Sequence, residues 1–219
     1  ILYRDGSGLQ RLAAGTANQV LKTGGAGANP SWGTVSSDWV KIHTETTSSA
    51  VTSITLDGYY SSDYLIYKYF LFNPSGSSAD NWIQSRFNFG GSADTSQNYR
   101  NNLFYSYRNT SSNSEGNNLN DDDGLHTYMP LSWWGSGNDE GVTTSEVLVV
   151  DPQSTSAYKL LGVDWFGHDN GQTMSFGKSV SRLANNKTTA STGMTFFLAG
   201  SSGETFSAGF KIVLYGLKT

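Results

Sequence analysis

From Tyr64 to Phe72 the chain reads YLIYKYFLF, nine residues in which Lys68 is the one charge. Successive side chains of a strand point to opposite faces. Tyr64, Ile66, Phe70 and Phe72 therefore share one face, and Leu65, Tyr67, Tyr69 and Leu71 the other. The aromatic and β-branched content, with Asn73-Pro74 as a stop, predicts a strand rather than a helix. A strand apolar on both faces needs a cover on both. The Ile66, Phe70 and Phe72 face is assigned to the core. The Leu65, Tyr67, Tyr69 and Leu71 face is expected to lie under the second sheet's flank, the N-terminal segment or another subunit.

The same period continues along the chain. Ala50–Leu56 alternates up to an Asp57-Gly58 turn, and Asn81–Phe89 places Ile83, Phe87 and Phe89 inward with Gln84, Arg86 and Asn88 outward. Trp82 falls on the outward side and breaks that pattern. Strands are predicted at Leu103–Arg108, Leu125–Trp134, Glu146–Asp151, Lys159–Phe166, Thr173–Gly177, Met194–Ala199 and Gly209–Lys218. Between them, the stretch from Asn109 to Gly124 holds a single large apolar residue, Leu119, and is predicted to be a long surface loop. No strong helix pattern occurs after residue 38. The expected fold is all-β, a jelly-roll-like two-sheet antiparallel sandwich over residues 38–219.

Residues 1–37 differ. They are rich in small residues, with scattered anchors at Leu9, Leu12, Val20, Leu21 and Trp32. A short amphipathic helix around Leu9, Leu12 and Ala13 is conceivable, weakened by Gly15. Gln19–Thr23 and Ser31–Val35 read as short strands around a Gly-rich turn. The segment is expected to be an extended N-terminal arm used for attachment or trimerisation, because it has too few large apolar residues to fold alone.

Composition narrows the function. The 219 residues carry a net charge of −4, and their fourteen Lys and Arg are scattered, which argues against phosphate-backbone binding. There is no Cys, so disulfides and thiolate metal sites are excluded. No run reaches the length of a membrane span. The first residue is Ile1, which suggests a fragment, a processed form or the ordered part of something longer. No HExxH, GxSxG, Walker or CxxC motif is present, and a carboxylate pair such as Glu140 with Glu146 is weak support for a glycosidase, so no enzyme activity is expected.

Three stretches carry candidate chemistry. Asp121, Asp122 and Asp123 offer hard oxygen ligands for Ca²⁺. EF-hand spacing fails, since its first and twelfth positions would be Leu119 and Pro130, and a solvated acidic loop is the simpler reading. Trp133 and Trp134 precede a Gly-rich loop containing Asn138 and Asp139. One of the two indoles points outward, where it could stack on a sugar or be covered by a neighbouring subunit. His168 and Asp169 could add to a polar contact site, although Asp169-Asn170-Gly171 is first of all a hairpin turn. His43 and His126 have no metal-ligand spacing and are expected in core or surface roles.

Two segments resemble bacteriophage proteins. Gly15-Thr16-Ala17-Asn18-Gln19-Val20-Leu21-Lys22-Thr23, followed by the Gly/Ala run and Pro30-Ser31-Trp32, resembles a linker motif of tailed-phage structural proteins. The layout from Val51–Leu56 through Tyr64–Leu71 to Phe210–Gly216 is similar to a β-sandwich domain of phage tail fibres and capsid fibres. The resemblance implies a homotrimeric virion appendage on the particle surface. In that role it would bind the host cell, through a surface glycan, or decorate the particle, and would contact other virion proteins through residues 1–37. A stand-alone carbohydrate-binding module is the alternative.

Overall fold

The computed structural model describes residues 1–35, 37–72, 76, 81–96, 98–109, 114–121, 125–134, 142–168, 173–184, 188–199 and 203–218. For 81, 107–109, 114–121, 133, 134, 142, 168 and 173 it describes the backbone alone. Every regular element among them is a β-strand. The chain forms two compact units, Ile1–Asp38 and Trp39–Thr219.

The first unit is built of two β-hairpins. Strand β1 (Leu2–Asp5) pairs with β2 (Gly8–Arg11), so Leu9 lies on a strand and the helix considered around it is not formed. Strand β3 (Gln19–Lys22) pairs with β4 (Ser31–Thr34). The linker motif is a self-contained device. Trp32 Nε1 donates to Ala13 O at 2.6 Å, and the Thr16 amide donates to Gln19 Oε1 at 2.8 Å. Asn18 takes the left-handed conformation (φ 67°), which Asn tolerates better than most residues. Gly15 lies under the indole, where a Cβ would come within 2.7 Å of Trp32.

The second unit is a sandwich of two antiparallel sheets. Strands β5 (Trp39–Thr46), β17 (Lys211–Lys218), β7 (Tyr64–Phe72) and β13 (Val142–Val150) lie side by side in the first. Strands β6 (Ser53–Asp57), β16 (Gly193–Leu198), β8 (Asn81–Phe89) and β12 (Met129–Trp134) lie side by side in the second. Along the chain, successive strands of this set cross between the sheets at every step except β8 to β12, which is jelly-roll order. A short strand, β9 (Ser92–Ala93), pairs with β8.

Two insertions widen the first sheet. Between β8 and β12 the chain adds β10 (Tyr99–Asn109) and β11 (Ser114–Asp121), and between β13 and β16 it adds β14 (Leu160–His168) and β15 (Thr173–Leu183). They continue the ladder as β13-β14-β15-β10-β11, giving eight strands in all. Strand β11 lies within the predicted Asn109–Gly124 loop. Its polar SEGNNLND sequence has little strand propensity, but β10 offers it a full antiparallel register, and an edge strand tolerates polar residues.

The faces of β7 are the reverse of the sequence assignment. Tyr67, Tyr69 and Leu71 are fully buried in the core, whereas Ile66 and Phe70 are half-buried and Phe72 is exposed. Leu65 is exposed as well, being near the strand's start. The tyrosines can be buried because their hydroxyls are satisfied. Tyr69 Oη donates to Tyr60 Oη at 2.8 Å, and Tyr67 Oη donates to Ser61 O at 3.0 Å. The cover is the second sheet, with Tyr69 meeting Phe196 of β16 at 5.3 Å between ring centroids.

Strand β15 also turns its larger residues outward. Its small residues Ser175, Gly177, Ser179 and Ser181 face inward, while Met174, Phe176 and Val180 are exposed. The small row lets the backbone of β12 lie directly on β15, where Ser179 Oγ donates to Pro130 O at 2.8 Å. On β8, Gln84 and Asn88 are buried rather than outward, and Thr195 Oγ1 donates to Asn88 Oδ1 at 2.8 Å.

Candidate functional site

Two surfaces stand out, and both involve the inserted strands. The first is an aromatic cleft where β10 meets the β12 edge of the second sheet. It encloses about 210 Å³ and is lined by Trp82, Gln84, Asn101, Tyr105, His126 and Tyr128, with Leu103 and Pro130 at its base. Trp82 stands edge-to-face with Tyr105 at 5.6 Å and with the buried Trp165 at 6.1 Å. The far wall is tied down by backbone. Tyr99 and His126 exchange both amide–carbonyl bonds, at 3.0 and 2.8 Å, and Asn101 Nδ2 donates to Tyr128 O at 2.9 Å. Asn101 Oδ1 has no hydrogen-bond partner among the described residues. Among the described residues no Asp, Glu, Lys or Arg lines the cleft. The guanidinium of Arg86, on the same strand as Trp82 and Gln84, is held by Thr127 O at 2.7 Å and lies over the Phe197 ring.

The second surface is the outer face of the eight-stranded sheet. The register aligns Phe72, Thr144, Phe166 and Phe176 in one row across β7, β13, β14 and β15. The next row is Phe70, Glu146, Asp164 and Lys178. Phe166 is 66% exposed and Phe176 54%. Together the rows wall an open concavity of about 670 Å³. Its charges are paired internally, Lys68 to Glu146 and Lys178 to Asp164, each at 2.6 Å. Met174, Val180 and Leu160 extend the exposed apolar area on the same face.

The sequence candidates distribute as follows. Trp133 stands opposite Trp82 in the β8–β12 register, and Trp134 opposite Asn81, so the Trp pair borders the cleft strand. Asn138, Asp139, Asp169, Asp122 and Asp123 lie outside the described residues. Asp121 ends β11 opposite Asn102, and His168 ends β14 opposite Val142 and Met174. Among the described residues no three His, Cys, Asp or Glu side chains gather as a metal site. His43 joins a chain in which Tyr59 Oη meets its Nδ1 at 3.0 Å and Glu45 Oε2 meets its Nε2 at 3.2 Å. His126, given no binding role from sequence, lines the cleft. The one sequence signal for the cleft was Trp82, the large aromatic that broke the alternation of β8; Asn101, Tyr105 and Tyr128 gave none.

No family model matches the chain, and no curated protein does. Among solved structures, the chain is similar to that of the infectious bursal disease virus Gt strain at 9% identity and a TM-score of 0.14. That match covers 91% of this chain and 47% of the other. It is also similar to the crystal structure of the infectious bursal disease virus VP2 subviral particle, at 10% identity and a TM-score of 0.12, over 96% of this chain and 48% of the other. The chain spans about half the length of these structures. TM-scores this low do not establish a shared fold.

Proposed function

We propose that this chain is a structural domain of a virion, of fibre or appendage type, which assembles as a homotrimer and contacts the host cell surface or decorates the particle. In this reading it binds and does not catalyse. The observation that carries the assembly is the exposed aromatic row on the outer face of the long sheet. A contiguous apolar face of this kind marks an interface. A second copy of the same chain fits it, because the two lysines and two acids there are already paired and neutral. In a closed trimer each copy's row packs on a different patch of the next copy, and the internal pairing of its charges leaves no unbalanced charge to oppose that contact. The number of copies and the virion setting follow from the resemblance of the Gly15–Thr23 linker motif.

Light scattering of the purified chain at micromolar concentration tests this. The expected mass is three times that of the chain. Phe166→Asp combined with Phe176→Asp is expected to give a folded monomer, since both side chains are exposed and their loss leaves the core intact. A wild-type chain that is well folded and monomeric refutes the assembly.

The Trp82 cleft favours a second reading, a stand-alone carbohydrate-binding module. It predicts a monomer with saccharide affinity.

A further inference from the structure

We propose that the cleft between β10 and the β8–β12 edge is a binding site for a neutral pyranose, the terminal unit of a host surface glycan. It rests on the host-contact part of the reading above for its biological setting. Its ligand class follows from the lining alone.

A pyranose presents an apolar C–H face and a rim of hydroxyls that both donate and accept. The cleft answers both needs. Trp82, Tyr105 and Tyr128 supply aromatic surface at small cost in side-chain entropy. Gln84 and Asn101 supply amides, each of which can donate and accept toward a hydroxyl. Asn101 Oδ1 is an acceptor with no partner among the described residues, while its Nδ2 is fixed on Tyr128 O. This oxygen is buried beneath the lining, so a turn of the amide toward a ligand hydroxyl pairs an atom that is otherwise costly to leave unpaired. Among the described residues the lining holds no Lys or Arg to pair with a uronate or sialate, whose carboxylate would lose hydration there. The size, about 210 Å³, suits a single sugar unit rather than a long oligosaccharide. The wall is set before binding, because the Tyr99–His126 backbone bridge holds His126 and Tyr128 in place.

The aromatic contact alone does not select a sugar over any flat apolar group. The Gln84 amide and the unpaired Asn101 Oδ1 do, since an apolar occupant offers neither of them a partner.

Saturation-transfer NMR on the full chain, with methyl glucoside, methyl galactoside, N-acetylglucosamine and glucuronate as probes, tests the proposal. Transfer to the ring C–H protons of at least one neutral probe is expected, with none to glucuronate. Trp82→Ala is expected to abolish it. That change also removes packing from Trp165 and Tyr105, so Asn101→Ala serves as the second variant, with at least a tenfold loss of affinity. Phe166→Asp with Phe176→Asp is expected to leave binding unchanged. The proposal is overturned if no neutral probe receives saturation, or if transfer survives both Trp82→Ala and Asn101→Ala in folded protein. A monomer that binds through the cleft refutes the assembly reading alone. A trimer that binds no pyranoside refutes this one alone.

Discussion

The reversed faces of β7 make a sharp test, because two adjacent aromatic residues are expected to behave oppositely to their hydrophobicity. Tyr69 is fully buried, with ring contacts to Phe196 at 5.3 Å and Tyr60 at 6.5 Å, and its hydroxyl donates to Tyr60 Oη at 2.8 Å. Tyr69→Ala removes a core ring, which costs about 3–5 kcal/mol with its cavity. It also leaves the buried Tyr60 hydroxyl without its donor, worth about another 1 kcal/mol. Phe70 is half-buried on the outer face, beside Phe72 and Tyr215. Fully burying such a side chain is worth about 1.5–3 kcal/mol, so Phe70→Ala in an isolated chain is expected to cost about 1 kcal/mol. Tyr69→Phe, which keeps the ring and loses one hydrogen bond, is expected to cost about 1 kcal/mol as well.

The measurement is urea unfolding followed by tryptophan fluorescence and circular dichroism, at two protein concentrations. Tyr69→Ala is expected to lower stability by the same amount at both, since the contacts it loses lie within one chain. Phe70→Ala is expected to cost more at the higher concentration, because its ring borders the proposed subunit contact and assembly stabilises by mass action. If Phe70→Ala costs as much as Tyr69→Ala in dilute, monomeric protein, the core lies on the other face and the reasoning fails.

Gly193 of β16 pairs so closely with β6 that a Cβ would sit 2.0 Å from Leu56 O. Gly193→Ala is expected to destabilise by several kcal/mol, read as a fall in Tm, and a variant with unchanged Tm would contradict the register. Gly15→Ala is expected to unseat Trp32 and shift its fluorescence to the red while leaving the melting of the sandwich unchanged; an unshifted emission would count against the hairpin packing. Burial pushes the hydroxyl pKa values of Tyr60, Tyr69 and Tyr99 well up. Their stabilising effect is therefore complete below pH 10 and lost above it, where only the unfolded chain ionises, by about 1.4 kcal/mol per pH unit for each group. Burial lowers the Lys159 pKa, so its cost at neutral pH fades as pH rises and is gone above the ordinary lysine value of about 10.5, before most of the tyrosine loss develops. Absorbance at 295 nm is expected to show these tyrosines titrating only as the protein unfolds; smooth titration of all twelve in folded protein would refute their burial.

Much of the frame was legible in the chain. The strand at Asn81–Phe89, the bounds of Tyr64–Phe72 and the short strands around Gly24–Gly27 follow from local chemistry, and the structure has them there. What was not legible depended on partners outside each strand's own pattern. Strand β7 has two apolar faces, and the sequence assignment places Ile66, Phe70 and Phe72 in the core where the structure buries Tyr67, Tyr69 and Leu71. The deciding factor is that Tyr60 and Ser61 stand where they satisfy the buried hydroxyls of Tyr69 and Tyr67, which no local pattern announces. Strand β11 was missed for a related reason, since the edge strand it forms comes from the register that β10 offers and not from its own residues. The cleft gathers residues from three separated stretches, so only the misfit Trp82 could signal it.

The two candidate surfaces share one structural cause. On β15 the sequence alternates large and small, and ordinary patterning would put Met174, Phe176 and Val180 inside. The strand does the reverse because β12, crossing from the other sheet, needs a flat bed, and Ser175, Gly177, Ser179 and Ser181 provide it. Phe104 O and the Trp165 ring lie so close to Gly177 that even a methyl group there has no room. With the small row inside, the large row must face outward, where it continues the line from Phe72 through Phe166 and makes the apolar face. The same bed fixes where β12 ends up, and therefore where Pro130 and the Trp82 side of β8 meet β10 to form the cleft. The eight strands of the jelly roll alone would have neither surface. The two inserted hairpins supply both, so a single choice of register on β15 connects the face proposed for assembly to the cleft proposed for a sugar.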